Sequence, residues 1–259
     1  MLTEDRRSLE ARHSVEKSFH DQKALSGHGE AHRDFYAAGG LNLVWESYLN
    51  AVGDLRGKTI LDFGCGEGWS SVEYAKRGAV VYSFDISSES VHNLTHQATR
   101  AGVSRRIHPA VMAAESLGYR ANTFDMVLGV SILHHTDPFS AGAEVSRVLK
   151  PGGRALFIEP LAHNVFLRVF RLLTPKRRTP TEQPMPVKQI ADFGRFFHRA
   201  DFHGYYLLSI FPQGLLWATG NQNLFQCTLR IASAADHLIL GAFKFLRRYC
   251  WSAIIEVEK

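Results

Sequence analysis

Three glycines spaced two apart, in Gly64-Cys65-Gly66-Glu67-Gly68, close a short apolar run at Ile60–Phe63 and lead into a helix-forming segment, Ser70–Lys76. Glycine at such a place permits positive φ and lets the backbone approach a ligand closely. The helix that follows offers free N–H groups and a partial positive charge to a ligand's polar end. The spacing is G-x-G-x-G, not the G-x-G-x-x-G that suits a dinucleotide pyrophosphate. Asp85 lies 19 residues beyond Gly66 and ends the next apolar run, where an acidic side chain in an open α/β sheet accepts hydrogen bonds from ribose hydroxyls. Three glycines alone need be no more than a tight turn. With a strand before them, a helix after them and Asp85 in register, they favour a nucleoside-type site.

A second group of residues offers proton chemistry. His134 and His135 follow the apolar run Phe124–Val130, Glu159 ends the run Ala155–Glu159, and His163 lies one helical turn further on. Ligands of open α/β sheets bind at this carboxyl edge, and imidazole is the side chain that titrates near neutral pH. Two adjacent histidines are not expected to face one pocket together, so one of the pair reads as structural. For Glu159 and His163, hydrogen bonding to local backbone competes with a catalytic role. His20, Tyr36 and Trp45 reach over the site if the N-terminal arm folds as a lid, although the helical spacing of Tyr36 and Trp45 suits core positions better. No Cys/His cluster has ligand spacing despite 13 histidines, so no metal site is expected.

These groups need a scaffold, and the chain supplies one in repeating units. Thr59–Phe63, Ala79–Phe84, Arg106–Val111, Phe124–Val130 and Ala155–Glu159 read as strands. The intervening segments read as helices: Ser70–Lys76, one capped by Ser87 or Ser88 and running to about Gly102, and Pro138–Leu149, stopped by Lys150-Pro151-Gly152-Gly153. Such alternation implies right-handed crossovers and a mainly parallel sheet covered on both faces. Beyond residue 160 the pattern loosens into a helix over 162–173, a segment with four prolines over Thr174–Pro186, a strand over Gly204–Phe211, helix over most of Leu224–Tyr249 and a terminal strand at Trp251–Val257. The expected organisation is a helical arm or lid at 1–57, a ligand-binding core at 58–160 and a C-terminal part at 161–259 that completes the sheet and shapes the acceptor site.

The segment Ile60–Gly68 resembles motif I of class I S-adenosylmethionine-dependent methyltransferases, and three later segments fit that family in order. They are Val80–Ser87 with its acid, Phe124-Asp125-Met126-Val127 through His134-His135, and Arg147–Gly153 before the fifth strand. The nearest-looking branch contains ubiquinone, menaquinone and natural-product methyltransferases. The resemblance implies a Rossmann-like, doubly wound α/β fold with seven strands, mostly parallel and the last antiparallel, plus an N-terminal helical arm and a C-terminal helical insertion. It implies S-adenosylmethionine as methyl donor, S-adenosylhomocysteine as product, and a small acceptor methylated on oxygen or carbon. By position, Asp62 and the Gly64–Gly68 backbone, Cys65 included, would hold the methionine end, Asp85 the ribose and Ile86 the adenine. Ala114 and Glu115 would lie at the adenine edge, with Val130 and Tyr36 completing the cofactor side. Relatives often carry an acid where Ala113 stands, so that adenine contact must come from elsewhere.

Composition narrows the rest. The 259 residues suit one large α/β domain with an elaboration, and 45% apolar against 21% charged residues is ordinary for a globular chain. The charged N-terminus has no apolar core of a secretory signal, no run spans a bilayer, and three cysteines without metal-like spacing fit a reduced, cytoplasmic protein. Residues 1–160 carry 17 Lys and Arg against 19 Asp and Glu, whereas residues 161–259 carry 13 against 6. The basic excess lacks the aromatic interleaving of a single-strand-binding surface, so a small-molecule acceptor is favoured over nucleic acid. An RNA methyltransferase and a non-catalytic cofactor-binding regulator stand as alternatives. Phe166, Leu167, Val169, Phe170, Leu172, Leu173, Phe193, Phe196 and Phe197 suit a pocket for a hydrophobic acceptor, peripheral contact with an anionic membrane, or simply core. An oligomer is left open.

Overall fold

The computed structural model describes residues 2–26, 42–174, 179 and 182–259, with the side chains of 2–7 and Trp217 left aside. Seven strands form one sheet in the order β3-β2-β1-β4-β5-β7-β6. They are β1 (Thr59–Phe63), β2 (Val80–Asp85), β3 (Ile107–Val111), β4 (Phe124–Val130), β5 (Leu149–Pro160), β6 (Arg199–Tyr205) and β7 (Ser252–Glu258). β7 runs antiparallel to both its neighbours, β5 and β6, and the pairings among β1–β5 are parallel. The chain reverses its direction of travel across the sheet between β1 and β4, which is where open α/β sheets place ligands.

Alternation along the strands explains why both faces are covered. Ile60, Val81, Met126, Leu128, Leu156 and Ile158 belong to one buried cluster. Leu61, Phe63, Phe84, Val127, Phe157 and Ile255 belong to the other. Helices α2 (Asn42–Val52), α3 (Trp69–Lys76) and α4 (Ser88–Arg100) supply the first face. Helix α5 (Pro138–Val148) and α7 (Val187–Gly194) supply the second. A sheet buried on both sides reads as near-continuous apolar runs, which is why the central strands are legible. Ser87, not Ser88, caps α4, its hydroxyl accepting from Ser90 N–H at 3.0 Å.

Three boundaries differ from expectation. β5 begins at Leu149, not Ala155, and Pro151-Gly152-Gly153 sits within a register shift opposite β4 instead of ending the secondary structure. The helix expected over 162–173 is α6 (Val165–Leu173), starting where Asn164 caps it by accepting from Leu167 N–H. The strand expected at Gly204–Phe211 is β6, displaced to Arg199–Tyr205, and Phe211 begins α8 (Phe211–Thr219). α9 (Gln222–Ala242) and a 3-10 turn at Lys244–Tyr249 follow. Within the arm expected at 1–57, the described residues form α1 (Leu2–Leu25) and α2. Among the described residues no helix is long and apolar enough to cross a membrane.

Candidate active site

The glycine loop joins β1 to α3 and is stitched to β2 by Cys65 N–H donating to Phe84 O at 2.8 Å. Its glycines have different jobs. Gly64, at φ +68°, has Ile132 so close that a Cβ would fall 2.2 Å from Cγ1, whereas beside Gly66, at φ +50°, nothing lies within 4 Å. Gly64 therefore permits close packing under the loop, and Gly66 leaves the cavity side open to a ligand. Asp85 is buried and accepts from Gly66 N–H at 2.9 Å and from Ser87 N–H at 3.0 Å. Two backbone donors thus fix its carboxylate at the loop with lone pairs to spare.

Asp62 lies behind the loop, outside the cavity wall. Its carboxylate accepts from Ser70 and Ser71 hydroxyls, tying β1 to α3. Burial pushes its pKa up to about 6 against the pull of those two hydroxyls. Gly68 is likewise outside the wall. It caps α3 at φ +91°, and a Cβ there would strike Leu94. Cys65 lines the cavity, and burial, with the charges of Asp85 and Asp62, raises its thiol well above the usual range.

The cavity itself occupies about 820 Å³ at the carboxyl ends of β1, β2, β4 and β5, toward the upper end of small-molecule sites. Gly64, Cys65, Gly66, Asp85, Ile86, Met112, Ala114, Glu115 and Val130 line one part. Helix α1 lies over it and contributes His13, Glu16, Phe19 and His20. Polar contacts hold this helix down. Arg12 and His13 both engage the Glu115 carboxylate, which also accepts from Asp137 N–H. Asp21 accepts from Ser87 Oγ at 2.6 Å, and Asn93 donates to Ala24 O at 3.2 Å. Of the residues expected to reach over the site, His20 lies on α1 and lines the cavity. Trp45 does not: it is buried in the core, 4.6 Å from the ring of Trp69 and 5.4 Å from that of Tyr48. Tyr36 lies outside the described residues.

At the far end, the 3-10 turn Leu133–His135 presents both histidines to the cavity. Their ring centroids are 4.3 Å apart and inclined by only 40°. The expectation that adjacent histidines diverge is therefore corrected, because a tight turn does not alternate its side chains as a strand does. Glu159, fully buried at the end of β5, accepts from Ile132 N–H at 2.9 Å and Leu133 N–H at 2.7 Å, and pairs with His134 Nδ1 at 2.6 Å. It does not line the cavity; it holds the turn that does. Ser131 enters that turn at φ +54°, a conformation that costs energy outside glycine and often marks a functional site.

His135 Nδ1 pairs with Glu16 of α1 at 3.0 Å. Glu182 faces both imidazoles, at 3.8 Å from His134 Nε2 and 3.8 Å from His135 Nε2, and is held by Arg171 at 2.7 Å. Burial opposes the charge of His134, but Glu159 and Glu182 outweigh it and raise its pKa. His135 is lowered by burial and by its neighbour His134, against Glu16 and Glu182. Glu182 is lowered because the two histidines and Arg171 overcome its burial.

His163 takes no part. It is exposed, outside the cavity, with its ring 6.3 Å from that of Tyr249. The apolar C-terminal residues divide by helical phase. In α6, Leu167, Phe170 and Arg171 turn toward the cavity, while Val165, Phe166, Val169, Leu172 and Leu173 are exposed. Phe193 is core. Glu16, Arg171 and Glu182 were invisible as site residues in the sequence, since no short-range spacing ties them to the histidines.

With this geometry in hand, the relatives are informative. A methyltransferase-domain family model matches residues 61–157. The ubiquinone biosynthesis O-methyltransferase of Paraburkholderia xenovorans is 32% identical over 163 residues, covering 62% of this chain and 67% of that protein. Aklanonic acid methyltransferase DauC of a Streptomyces species is 33% identical over 109 residues, or 40% of this chain and 49% of its own. Among solved structures, the geranyl diphosphate C-methyltransferase of Streptomyces coelicolor A3(2) aligns with a TM-score of 0.56 at 15% identity, over 92% of this chain and 82% of that one. The chain belongs to the class I S-adenosylmethionine-dependent methyltransferases.

Proposed function

We propose that this methyltransferase transfers its methyl group to a hydroxyl oxygen on a small, largely apolar acceptor, of the phenolic, quinone-precursor or secondary-metabolite class. The observation that carries the reading is the composition of one cavity. Its far end combines Leu167, Phe170 and Trp251 with a single polar cluster, His134, His135 and Glu182. Apolar walls with a few converging polar groups orient a greasy ligand by its one polar substituent. The resemblance to ubiquinone biosynthesis O-methyltransferases supports the class.

The residues fit the methyl donor. Open space beside Gly66 admits a ligand against the backbone. Asp85, already fixed by two N–H donors, takes the ribose hydroxyls, while Ile86 and Ala114 bound the adenine. Asp62 acts one layer back, keeping α3 and the loop in place. When bound, S-adenosylmethionine supplies a methyl group on a positively charged sulfur, open to in-line attack. The chain's own contribution is alignment and exclusion of water. Helix α1 closes the cavity, Phe170 and Trp251 hold the acceptor's body, and the histidine cluster holds its hydroxyl, whose proton leaves to solvent as the methyl group arrives. Helix α1 then serves as lid, residues 58–160 hold the donor and contribute His134 and His135 to the acceptor end, and 161–259 supply its apolar wall.

Equilibrium binding tests this. With S-adenosylhomocysteine saturating, a hydroxylated aromatic compound should bind about tenfold tighter than its own methyl ether, the worth of one buried hydrogen bond. Equal affinity for the two, or preference for the ether, would contradict a hydroxyl-reading cluster.

A further inference from the structure

We propose that His134, His135 and Glu182 bind a single divalent metal ion of the zinc type, whose open coordination position faces the acceptor end of the cavity. The inference rests on the proposed reading that an acceptor hydroxyl sits there.

Nε2 of His134 stands 3.8 Å from Oε1 of Glu182, and Nε2 of His135 stands 3.8 Å from its Oε2, both too far for a hydrogen bond. Two ligand atoms about 2.1 Å from one ion are separated by about 3.4 Å in a tetrahedral arrangement and about 4.2 Å when opposed. The observed spacing falls inside that span, and the three donor atoms lie within 4.8 Å of one another.

Both histidines are also oriented from behind. Glu159 engages Nδ1 of His134 at 2.6 Å and Glu16 engages Nδ1 of His135 at 3.0 Å. A carboxylate on one ring nitrogen fixes the tautomer and turns the other nitrogen's lone pair forward, the usual support of a metal-bound imidazole. Arg171 holds one edge of Glu182, with Nη1 to Oε1 at 2.7 Å and Nη2 to the backbone carbonyl at 2.8 Å. Among the described residues, His20 also stands 3.6 Å from Glu16, and the Thr179 hydroxyl donates to Glu16 at 2.7 Å. Glu16, Glu159 and Glu182 place three carboxylates around the two imidazoles, a donor set that suits a cation.

Two imidazoles and one carboxylate with a position left open is the ligand set of a catalytic rather than a structural site. An ion there lowers the pKa of a bound hydroxyl. The acceptor O–H releases its proton to water, and the oxygen's electron pair forms the new O–CH3 bond. The C–S bond breaks with its pair left on a neutral thioether sulfur.

The test is metal binding itself. Chelator-treated full-length protein is titrated with Zn2+ by calorimetry and with Co2+ by visible absorption, alongside S-adenosylhomocysteine titrations of the same samples. One equivalent should bind with a Kd on the order of micromolar or tighter, and Glu182→Gln and His134→Gln should weaken it at least about a hundredfold. Glu159→Gln should weaken it about ten- to a hundredfold through the ring it orients. Glu182→Gln should keep its S-adenosylhomocysteine affinity, which shows that the fold survives. Wild-type protein that binds S-adenosylhomocysteine but no metal overturns the site and leaves the methyl-transfer reading standing. Metal binding unchanged in all three variants also overturns it, as binding at the exposed His92 and His96 pair on α4 would produce. Metal binding lost in the variants, in a protein that does not bind S-adenosylhomocysteine, upholds the site and counts against the cofactor reading instead.

Discussion

Replacing Asp85 by alanine should weaken S-adenosylhomocysteine binding by a hundredfold or more. Its carboxylate is the partner of two backbone N–H groups, of Gly66 and Ser87, and the proposed partner of the ribose hydroxyls. Hydrogen bonds to a charged group are worth about 1.5–3 kcal/mol each, and about 1.4 kcal/mol is a factor of ten in affinity. Losing the ribose contacts alone accounts for about a hundredfold. Releasing the Gly66 amide disturbs the loop as well. Asp85→Asn keeps an acceptor oxygen and should retain part of the affinity. Calorimetry on both variants checks the order, and an Asp85→Ala protein that binds within threefold of wild type would remove Asp85 from the cofactor site.

Glu159→Ala should be the most destabilising single change at the site. The side chain is wholly buried, and it satisfies two backbone amides and one imidazole nitrogen at once. Removing one member of a buried charged network costs about 3–5 kcal/mol, because the groups left behind have no water to turn to. For a chain of this size that lowers the melting temperature on the order of 10 °C. Glu159→Gln separates structure from chemistry. Its carbonyl oxygen still serves the amides of Ile132 and Leu133, but its amide group confronts His134 Nδ1 with the wrong partner. Thermal unfolding should show Glu159→Gln losing well under half of what Glu159→Ala loses, while methyl transfer falls in both. Equal stability of Glu159→Ala and wild type would show that the turn does not depend on this carboxylate.

The parts of this structure that were legible in the sequence are those governed by short-range pattern. β1, β2 and β4 are buried on both faces, so their residues form apolar runs that turn signals bound clearly. The glycine loop and Asp85 are fixed by their place at the ends of two such strands. The edge of the sheet was harder. β6 pairs only with β7, and Arg199, Ala200 and Asp201 are exposed. Without an apolar run, the stronger signal of Tyr205–Phe211 next to it pulled the expected strand several residues along the chain. β3, the opposite edge, accommodates Pro109 because an edge strand can forgo one ladder hydrogen bond.

The acceptor end was legible only in outline. His134 and His135 stood out by type and by their place after β4, but what surrounds them comes from afar. Glu16 lies 119 residues from His135 in the chain, on a helix too polar to show an apolar face. Glu182 lies within the proline-marked segment Thr174–Pro186, which has no periodicity. No spacing rule connects such residues, because the fold rather than the sequence makes them neighbours. The same long-range assembly turned a cluster with no metal-like spacing into a candidate ligand set.

A single-turnover methyl transfer tests the central claim most directly. Protein loaded with S-adenosylmethionine carrying a labelled methyl group is mixed with hydroxylated aromatic and quinone-precursor acceptors, and the labelled atom is located by mass spectrometry. The account predicts label in a new methyl ether, formed by wild type and lost in Asp85→Ala. Label found on nitrogen, on RNA or on protein, or remaining on the donor across every hydroxylated acceptor, would contradict it.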